Sequence, residues 1–142
     1  SSADNTGNKT EIALGGINIS MVVPKGWTKN DSSSAVSGIS FKSPDGSSCI
    51  TLVNITGDRP SLGTEVENLS MKNGSMVMKK WGKRDGVDFY YVLAKGKNDV
   101  FRETYGTVHE GKIFLVTGET IKERYNLFSP VLRKVFDTVE FL

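Results

Sequence analysis

The 142-residue sequence contains a single cysteine and a single histidine. The one thiol, Cys49, excludes a disulfide within the chain, and one thiol with one imidazole cannot supply the usual ligands of a zinc site. The sequence also lacks a glycine-rich phosphate loop and the G-x-S-x-G motif of a nucleophile elbow. It therefore predicts no metal site, no cofactor and no motif for nucleophilic catalysis.

Long apolar runs and an excess of one charge are missing as well. No apolar run approaches the roughly 20 residues that a membrane-spanning helix needs, so we expect no transmembrane segment. Eighteen basic and sixteen acidic residues are interleaved along the chain and give a net charge of +2. This balance is far from that of nucleic-acid-binding proteins, so we expect no nucleic acid among the partners.

A polar segment opens the chain, and Ala3 is the only apolar residue between Ser1 and Thr10. The chain starts without methionine, and such a segment resembles the tether that follows a secretion or lipoprotein cleavage site. We therefore expect a flexible polar tail over residues 1–11, a domain over residues 12–142, and export with a lipid anchor upstream of Ser1 as one variant. Trimming of the chain is the alternative interpretation of the same start.

The sequence from Ser75 to Glu119 is the clearest structural pattern. Four runs rich in Val, Ile, Phe, Tyr and Thr are separated by short Gly, Asn and Asp groups, which is typical of consecutive hairpins in an antiparallel meander. Upstream, Gly15-Gly16 predicts another hairpin. Strands are predicted over 36–42 and 48–56, the second covered on both faces, with a polar loop from Lys29 to Ala35.

Apolar residues recur at helical spacing in two segments. Ser61 can cap a helix from Leu62 to about Lys72. A second amphipathic helix covers Lys122 to Asp137, and Pro130 leaves two interpretations of it. Either a helix starts at Pro130 with Ser129 as its cap, or one longer helix is kinked there.

Strands and helices do not alternate along the chain as they do in βαβ folds. The pattern predicts the α+β class, with a central antiparallel sheet built from the meander and the N-terminal hairpins and with helices packed on its faces.

Four motifs resemble those of the PsbP-like fold family, which includes bacterial DcrB-type exported lipoproteins. They are VPKGW (Val23 to Trp27), FKSPDG (Phe41 to Gly46), SLGTEVENL (Ser61 to Leu69) and VLRKVFDTVEF (Val131 to Phe141). The resemblance covers Glu11 to Leu142 and implies an α+β domain of that fold. Bacterial members that resemble this chain are mostly exported, often lipid-anchored and non-catalytic, and the family supplies no catalytic residue to carry over.

The strongest binding candidate is a basic group around one aromatic residue at the tip of a predicted hairpin: Lys79, Lys80, Trp81, Lys83 and Arg84. Such a group could contact an unknown protein or an anionic component of the cell envelope. Strand alternation places Lys79, Trp81 and Lys83 on one face and Lys80 on the other. The competing interpretation is that these lysines protect a sheet edge from pairing.

His109-Glu110, beside Gly111, is interpreted as a solvated turn rather than a catalytic pair. The leading hypothesis is a non-enzymatic, exported binding or accessory domain of the bacterial cell envelope, located outside the cytoplasm. The alternatives are a small enzyme with a cleft of scattered polar residues and an intracellular partner-binding module.

Overall fold

The computed structural model describes residues 7–30, 38–55, 61–72 and 74–142. The strands in these ranges are β1 (Asn8–Leu14), β2 (Ile17–Val23), β3 (Thr28–Asn30), β4 (Gly38–Lys42), β5 (Ser48–Ile55), β6 (Gly74–Arg84), β7 (Val87–Gly96), β8 (Val100–His109), β9 (Lys112–Ile121) and β10 (Glu140–Phe141). The helices are α1 (Leu62–Ser70) and α2 (Tyr125–Thr138).

The meander is confirmed as four consecutive antiparallel strands, β6 to β9. It forms most of a seven-stranded sheet in the order β3-β4-β5-β9-β8-β7-β6. Two of its hairpins turn at Asp85-Gly86 and Glu110-Gly111, where all four residues have positive φ. Positive φ at both central residues is the type I′ geometry that matches the right-handed twist of the strands. The predicted α+β class with antiparallel sheets is confirmed.

A separate three-stranded sheet, in the order β1-β2-β10, holds the N-terminal hairpin. The Gly15-Gly16 hairpin is confirmed, but it does not join the seven-stranded sheet as the sequence pattern predicted. Its third strand comes from the C-terminus, where Phe141 pairs with Ile19. This pairing joins the two ends of the chain, which local periodicity cannot show.

The predicted tail over residues 1–11 is too long. Strand β1 begins at Asn8, and Asn8–Glu11 pair with residues 20–23 of β2. These residues are polar because β1 is an edge strand, in which only Ile12 and Leu14 are buried. Residues 1–6 of the predicted tail lie outside the described residues.

Two further predictions need correction at strands β3 and β5. Lys29 and Asn30, predicted as loop, pair with β4 in the short strand β3. Strand β5 is central, but its residues alternate between buried and half-buried, so only one face is fully covered. The remainder of the predicted loop, residues 31–35, and the start of the predicted strand at 36–37 lie outside the described residues.

Helix α1 packs on one face of the seven-stranded sheet, above β7, β8 and β9. Ser61 caps it as predicted, because its hydroxyl accepts a 3.2 Å hydrogen bond from the Thr64 amide. Val66 is fully buried against the sheet. Gly106 permits this approach, since a Cβ there would overlap the Val66 side chain.

Helix α2 packs between the other face of this sheet and strand β2. It continues through Pro130, after a 3₁₀ turn at Lys122–Arg124, so the longer of the two predicted helices is the one observed. Phe128 and Phe136 are buried on its inner face. A Cβ at Gly118 of β9 would overlap the Phe128 ring, so glycine is required where helix and sheet come closest.

Glu103 is a carboxylate in the core between α2 and the sheet, with 1% of its surface exposed. Its Oε1 accepts hydrogen bonds from the hydroxyls of Tyr91 and Ser129, the latter at 2.8 Å. Its Oε2 is buried and has no partner among the described residues. Burial raises the pKa of Glu103, and the two hydroxyls and the charge of Lys80 oppose this only in part.

Replacing Phe136 by alanine is expected to reduce the free energy of unfolding by about 3–5 kcal/mol. Phe136 is 1% exposed and packs against the rings of Phe89 and Tyr105, with centroid distances of 5.4 and 4.9 Å. Leu127→Ala on the same helix is the control, because Leu127 is 66% exposed and should change stability by less than about 0.5 kcal/mol. Urea unfolding of both variants measures the difference, and equal losses would contradict the described face of α2.

Replacing Glu103 by glutamine is expected to change how stability depends on pH. A carboxyl whose pKa is higher in the folded state stabilises the fold fully below its unfolded value, near 4.5, and loses that contribution as pH rises through the folded value. Wild type should therefore lose stability relative to Glu103→Gln as pH rises above about 4.5. Urea unfolding between pH 4 and 8 tests this, and a constant difference across the series would show that Glu103 titrates normally.

Candidate functional site

The hairpin of β6 and β7 brings the five basic-group residues to one edge of the seven-stranded sheet. Strand β6 is the last strand of the sheet, and its residues are exposed along most of its length. The Asp85-Gly86 turn lies next to Arg84 and keeps the basic residues near the tip. Two acidic residues, Asp85 and Asp88, lie within the same hairpin and reduce its local charge.

Strand pairing divides the basic group between the two faces of the sheet. Trp81 is opposite Tyr90, and Lys79 is opposite Val92, so both lie on the face that α1 covers further along the sheet. Lys83, two residues beyond Trp81, shares this face. We call Lys79, Trp81 and Lys83 the basic face. Lys80 and Arg84 lie on the opposite side, toward α2, and this alternation agrees with the sequence pattern.

Trp81 lies at the surface and remains 60% exposed. Its ring packs on Tyr90, with centroids 4.6 Å apart and planes 31° apart. The Tyr90 hydroxyl donates a 2.6 Å hydrogen bond to Glu67 of α1, and burial together with this bond raises the pKa of Tyr90 to about 12. Tyr90 is thus a neutral, fixed support, and it holds Trp81 in place while most of the indole faces outward.

Two lysines flank this tryptophan along the strand. At about 3.3 Å per residue, the Cα atoms of Lys79 and Lys83 are roughly 13 Å apart with Trp81 midway. Lys83 forms a 2.7 Å ion pair with Asp88, but both side chains are about two-thirds exposed, so the pair contributes little. Within the described residues, Lys79 forms no ion pair. The basic face therefore combines one aromatic surface with two exposed cations.

Arg84 and Lys80 contact the core instead. Arg84 donates to the backbone carbonyl of Phe136, and its guanidinium lies 5.0 Å from the centroid of the Phe136 ring. This carbonyl belongs to the last turn of α2, where the helix dipole favours a cation. Lys80 lies over the Tyr91 ring, with Nζ 5.4 Å from its centroid. Arg84, predicted as part of the binding group, thus also contacts α2, whereas Lys80 contacts the buried Tyr91 ring of β7.

Tyr90 and Glu67 belong to this site and were not among the candidate residues. A signal for Tyr90 was present in the sequence, since aligning the two strands about the RDG turn places it opposite Trp81. Glu67 had no such signal, because its contact depends on where α1 crosses the sheet. The bulge at Val77, between the paired residues Met76 and Met78, was also not predicted.

Two cavities, one at the N-terminal hairpin and one beside His109, bring no catalytic set together among the residues that the structure describes. A groove of about 940 Å³ opens between β1 and strands β3 and β4, and among its described lining residues Glu11 is the single carboxylate. His109 was predicted in a solvated turn, but it is the last residue of β8, beside the Glu110-Gly111 turn, and its half-buried ring stacks on Phe141 with centroids 3.9 Å apart, next to a cavity of about 90 Å³. Glu103 and its partner Tyr91 are buried between α2 and the sheet, and its other partner, Ser129, is a half-buried residue of α2 itself.

Two properties of the described residues bear on other partners. No group of three or more His, Cys, Asp or Glu side chains in ranges 7–30, 38–55, 61–72 and 74–142 is placed to hold a metal ion. Neither α1 nor α2 is long and apolar enough to cross a membrane.

Comparisons of sequence gave no match, either to a protein-family model or to a curated protein. Comparison of structure gave matches over nearly the whole chain. The cyanobacterial PsbP of Synechocystis sp. PCC 6803 superposes with a TM-score of 0.71 at 12% identity, covering 95% of this chain and 92% of that one. LpqN of Mycobacterium tuberculosis, described as involved in cell envelope biogenesis, gives a TM-score of 0.65 at 13% identity, covering 98% and 93%.

A third match is a Pseudomonas aeruginosa protein of unknown function described as a putative regulator, with a TM-score of 0.57 at 13% identity and coverage of 93% and 96%. Identities this low carry the fold and not the function. The two antiparallel sheets, with α1 on one face and α2 between them, agree with the expectation drawn from the sequence motifs. The chain has the PsbP-like fold.

Proposed function

We propose that this chain is a non-enzymatic, exported binding or accessory domain of the bacterial cell envelope. In this proposal it acts outside the cytoplasm and engages an anionic partner through the basic face. Support for the location comes from LpqN, a protein of the same fold that is described as involved in cell envelope biogenesis. Support for the mode of action comes from the hairpin at the sheet edge.

The observation that carries the proposal is the exposure of Trp81. An exposed tryptophan on a strand exposes a large apolar surface to water, and covering that surface with a partner is favourable. Here the indole is held in place by Tyr90, so little side-chain entropy is lost when a partner covers it. Aromatic residues of this kind are enriched at the energetic centres of interfaces.

The lysines of the basic face favour a partner with negative charge. Lys79 and Lys83 lie on either side of Trp81, and Lys80 and Arg84 add positive charge from the opposite face. At physiological salt, exposed charges act over about 8 Å, so an anionic group beside Trp81 lies within reach of both flanking lysines. The face therefore favours a partner that offers an apolar or planar surface between two anionic groups.

Protection of the sheet edge explains part of this arrangement and leaves part of it unexplained. Lysines on an edge strand oppose pairing with other strands, and the bulge at Val77 has the same effect. Edge protection does not require an exposed tryptophan, however. It is satisfied equally well by a polar residue at position 81, and the indole thus favours a binding role.

Replacing Lys79 and Lys83 together by glutamine is expected to weaken binding to an anionic surface by about tenfold to thirtyfold, since each basic residue contributes about 1 kcal/mol near such a surface. The probes are vesicles containing phosphatidylglycerol and, separately, polyglutamate, each at low and high salt. Lys29→Gln/Lys42→Gln is the matched control, because it removes the same charge at the opposite edge of the sheet.

Trp81→Ala should weaken binding at both salt concentrations, since its contribution is apolar, whereas the lysine variant should differ from wild type mainly at low salt. The measurement is the dissociation constant by sedimentation or calorimetry. If both basic-face variants bind both probes as the wild type and the control do, the basic face has no role in binding an anionic partner.

A further inference from the structure

The outer edge of β6 is unpaired over the part of the chain that the structure describes. Strand β6 has 11 residues and pairs with β7 alone. Beyond the bulge, the strand runs without interruption from Met78 to Arg84. Its large apolar residues are exposed here, with 55% of Val77, 44% of Met78 and 60% of Trp81 accessible. An edge of this kind has backbone donors and acceptors available for another strand.

The charge of β6 selects among strands that could pair with it. The strand contains four basic residues and no acidic residue. If two copies of β6 paired in antiparallel register about Trp81, Lys79 of one copy would face Lys83 of the other. Like charges directly opposite destabilise a strand pair, so a second copy is disfavoured. A neutral strand would cover the four cations without offering them a counter-charge.

We infer that the outer edge of β6 accepts an extended, acidic segment of another protein as an eighth strand of the sheet. This inference rests on the proposed function and specifies its partner and its geometry. Backbone hydrogen bonds to Met78–Arg84 supply affinity, and the charges of the added strand supply selectivity. Each pair of opposite charges on neighbouring strands favours pairing, whereas two paired copies of β6 would place like charges opposite each other.

The register of β6 predicts the side-chain pattern of this segment. Alternate residues of an added strand lie on the basic face, beside Lys79, Trp81 and Lys83 in turn. The matching order is an acidic, an apolar and an acidic residue at every second position. This order reads the same from both ends, so it fits a parallel or an antiparallel addition. On the other face, an acidic residue between the first acidic and the apolar position would lie beside Lys80, and one just beyond the acidic residue that faces Lys83 would lie beside Arg84.

The test uses a nine-residue peptide with Glu, Val and Glu at alternate positions on one face and Thr at the others. Two modified peptides carry N-methyl groups, one on the even-numbered amides alone and the other on every amide. In an extended strand the amides of alternate residues point to opposite sides, and the symmetrical order lets the peptide turn either edge toward β6 by reversing its direction, so only the fully methylated peptide loses its hydrogen bonds to β6 in both directions. A fourth peptide replaces Glu by Lys.

The unmodified peptide is expected to bind, and the fully methylated peptide should bind at least about tenfold more weakly, whereas the half-methylated peptide should change much less. The Lys-containing peptide should not bind measurably. On adding the unmodified peptide, alternate amides of β6 should exchange more slowly with solvent, whereas those of the opposite edge strand, Thr28–Asn30, should not. Calorimetry measures affinity, and hydrogen exchange followed by NMR measures protection.

Three outcomes would overturn the inference. Equal binding of the unmodified and the fully methylated peptides would show attraction by charge without strand addition, which leaves the proposed function intact. If the unmodified peptide does not bind while vesicle binding still depends on Lys79 and Lys83, the partner of the basic face is not an extended acidic segment of a protein. Concentration-dependent self-association of the free protein, lost in a Lys79→Pro variant, would assign the edge to a second copy.

Discussion

Packing of the aromatic face of α2 between the two sheets is the constraint on which the other features depend. Phe136 contacts rings from β7 and β8 on one side, and the helix contacts β2 on the other. The small sheet has no strand in common with the large one, and the helix packs against both, while Asn54 of β5 also donates hydrogen bonds to the Leu14 and Gly15 carbonyls of the first hairpin. Gly118 allows the close approach, and Glu103 is covered because that approach is close. A buried carboxylate with a half-satisfied hydrogen-bonding capacity is tolerable only where surrounding packing supplies the stability.

The β6–β7 hairpin, at one edge of the seven-stranded sheet, has two roles because strand β6 has two faces. One face contributes Arg84 to the end of α2 and Lys80 to the aromatic cluster, so these cations are part of the packing. The other face exposes Trp81 on a support fixed by Glu67. A basic group that looked uniform along the sequence thus separates into residues that stabilise the fold and residues available to a partner. Loss of binding in an Arg84 variant would therefore not separate the two roles.

Features determined by local chemistry could be predicted from the sequence. Turns at Gly15-Gly16 and Asp85-Gly86 need positive φ, Ser61 caps α1 through its own side chain, and alternation gives the two faces of β6. Features determined by long-range pairing could not be predicted from the sequence. The three-stranded sheet depends on the pairing of Phe141 with β2. Asn8–Glu11 form a strand only because they pair with β2, and their polar sequence by itself resembles a flexible tail. Likewise, the contact of Arg84 with α2 depends on tertiary packing that no spacing in the sequence reveals.

The short strand β10 links the last residues of the chain to the first hairpin, and this affects the order in which the molecule can be completed. Glu140 and Phe141 pair with Ser20 and Ile19, roughly 120 positions earlier. Closing so long a loop is entropically costly and comes late in folding. As the chain emerges from the ribosome or a translocation channel, β1 and β2 can form early, but the second edge of β2 stays open until residues 140–141 have emerged. The N-terminal hairpin therefore acquires its native neighbours only after α2 and β10 have been made, although it is the first element of the fold.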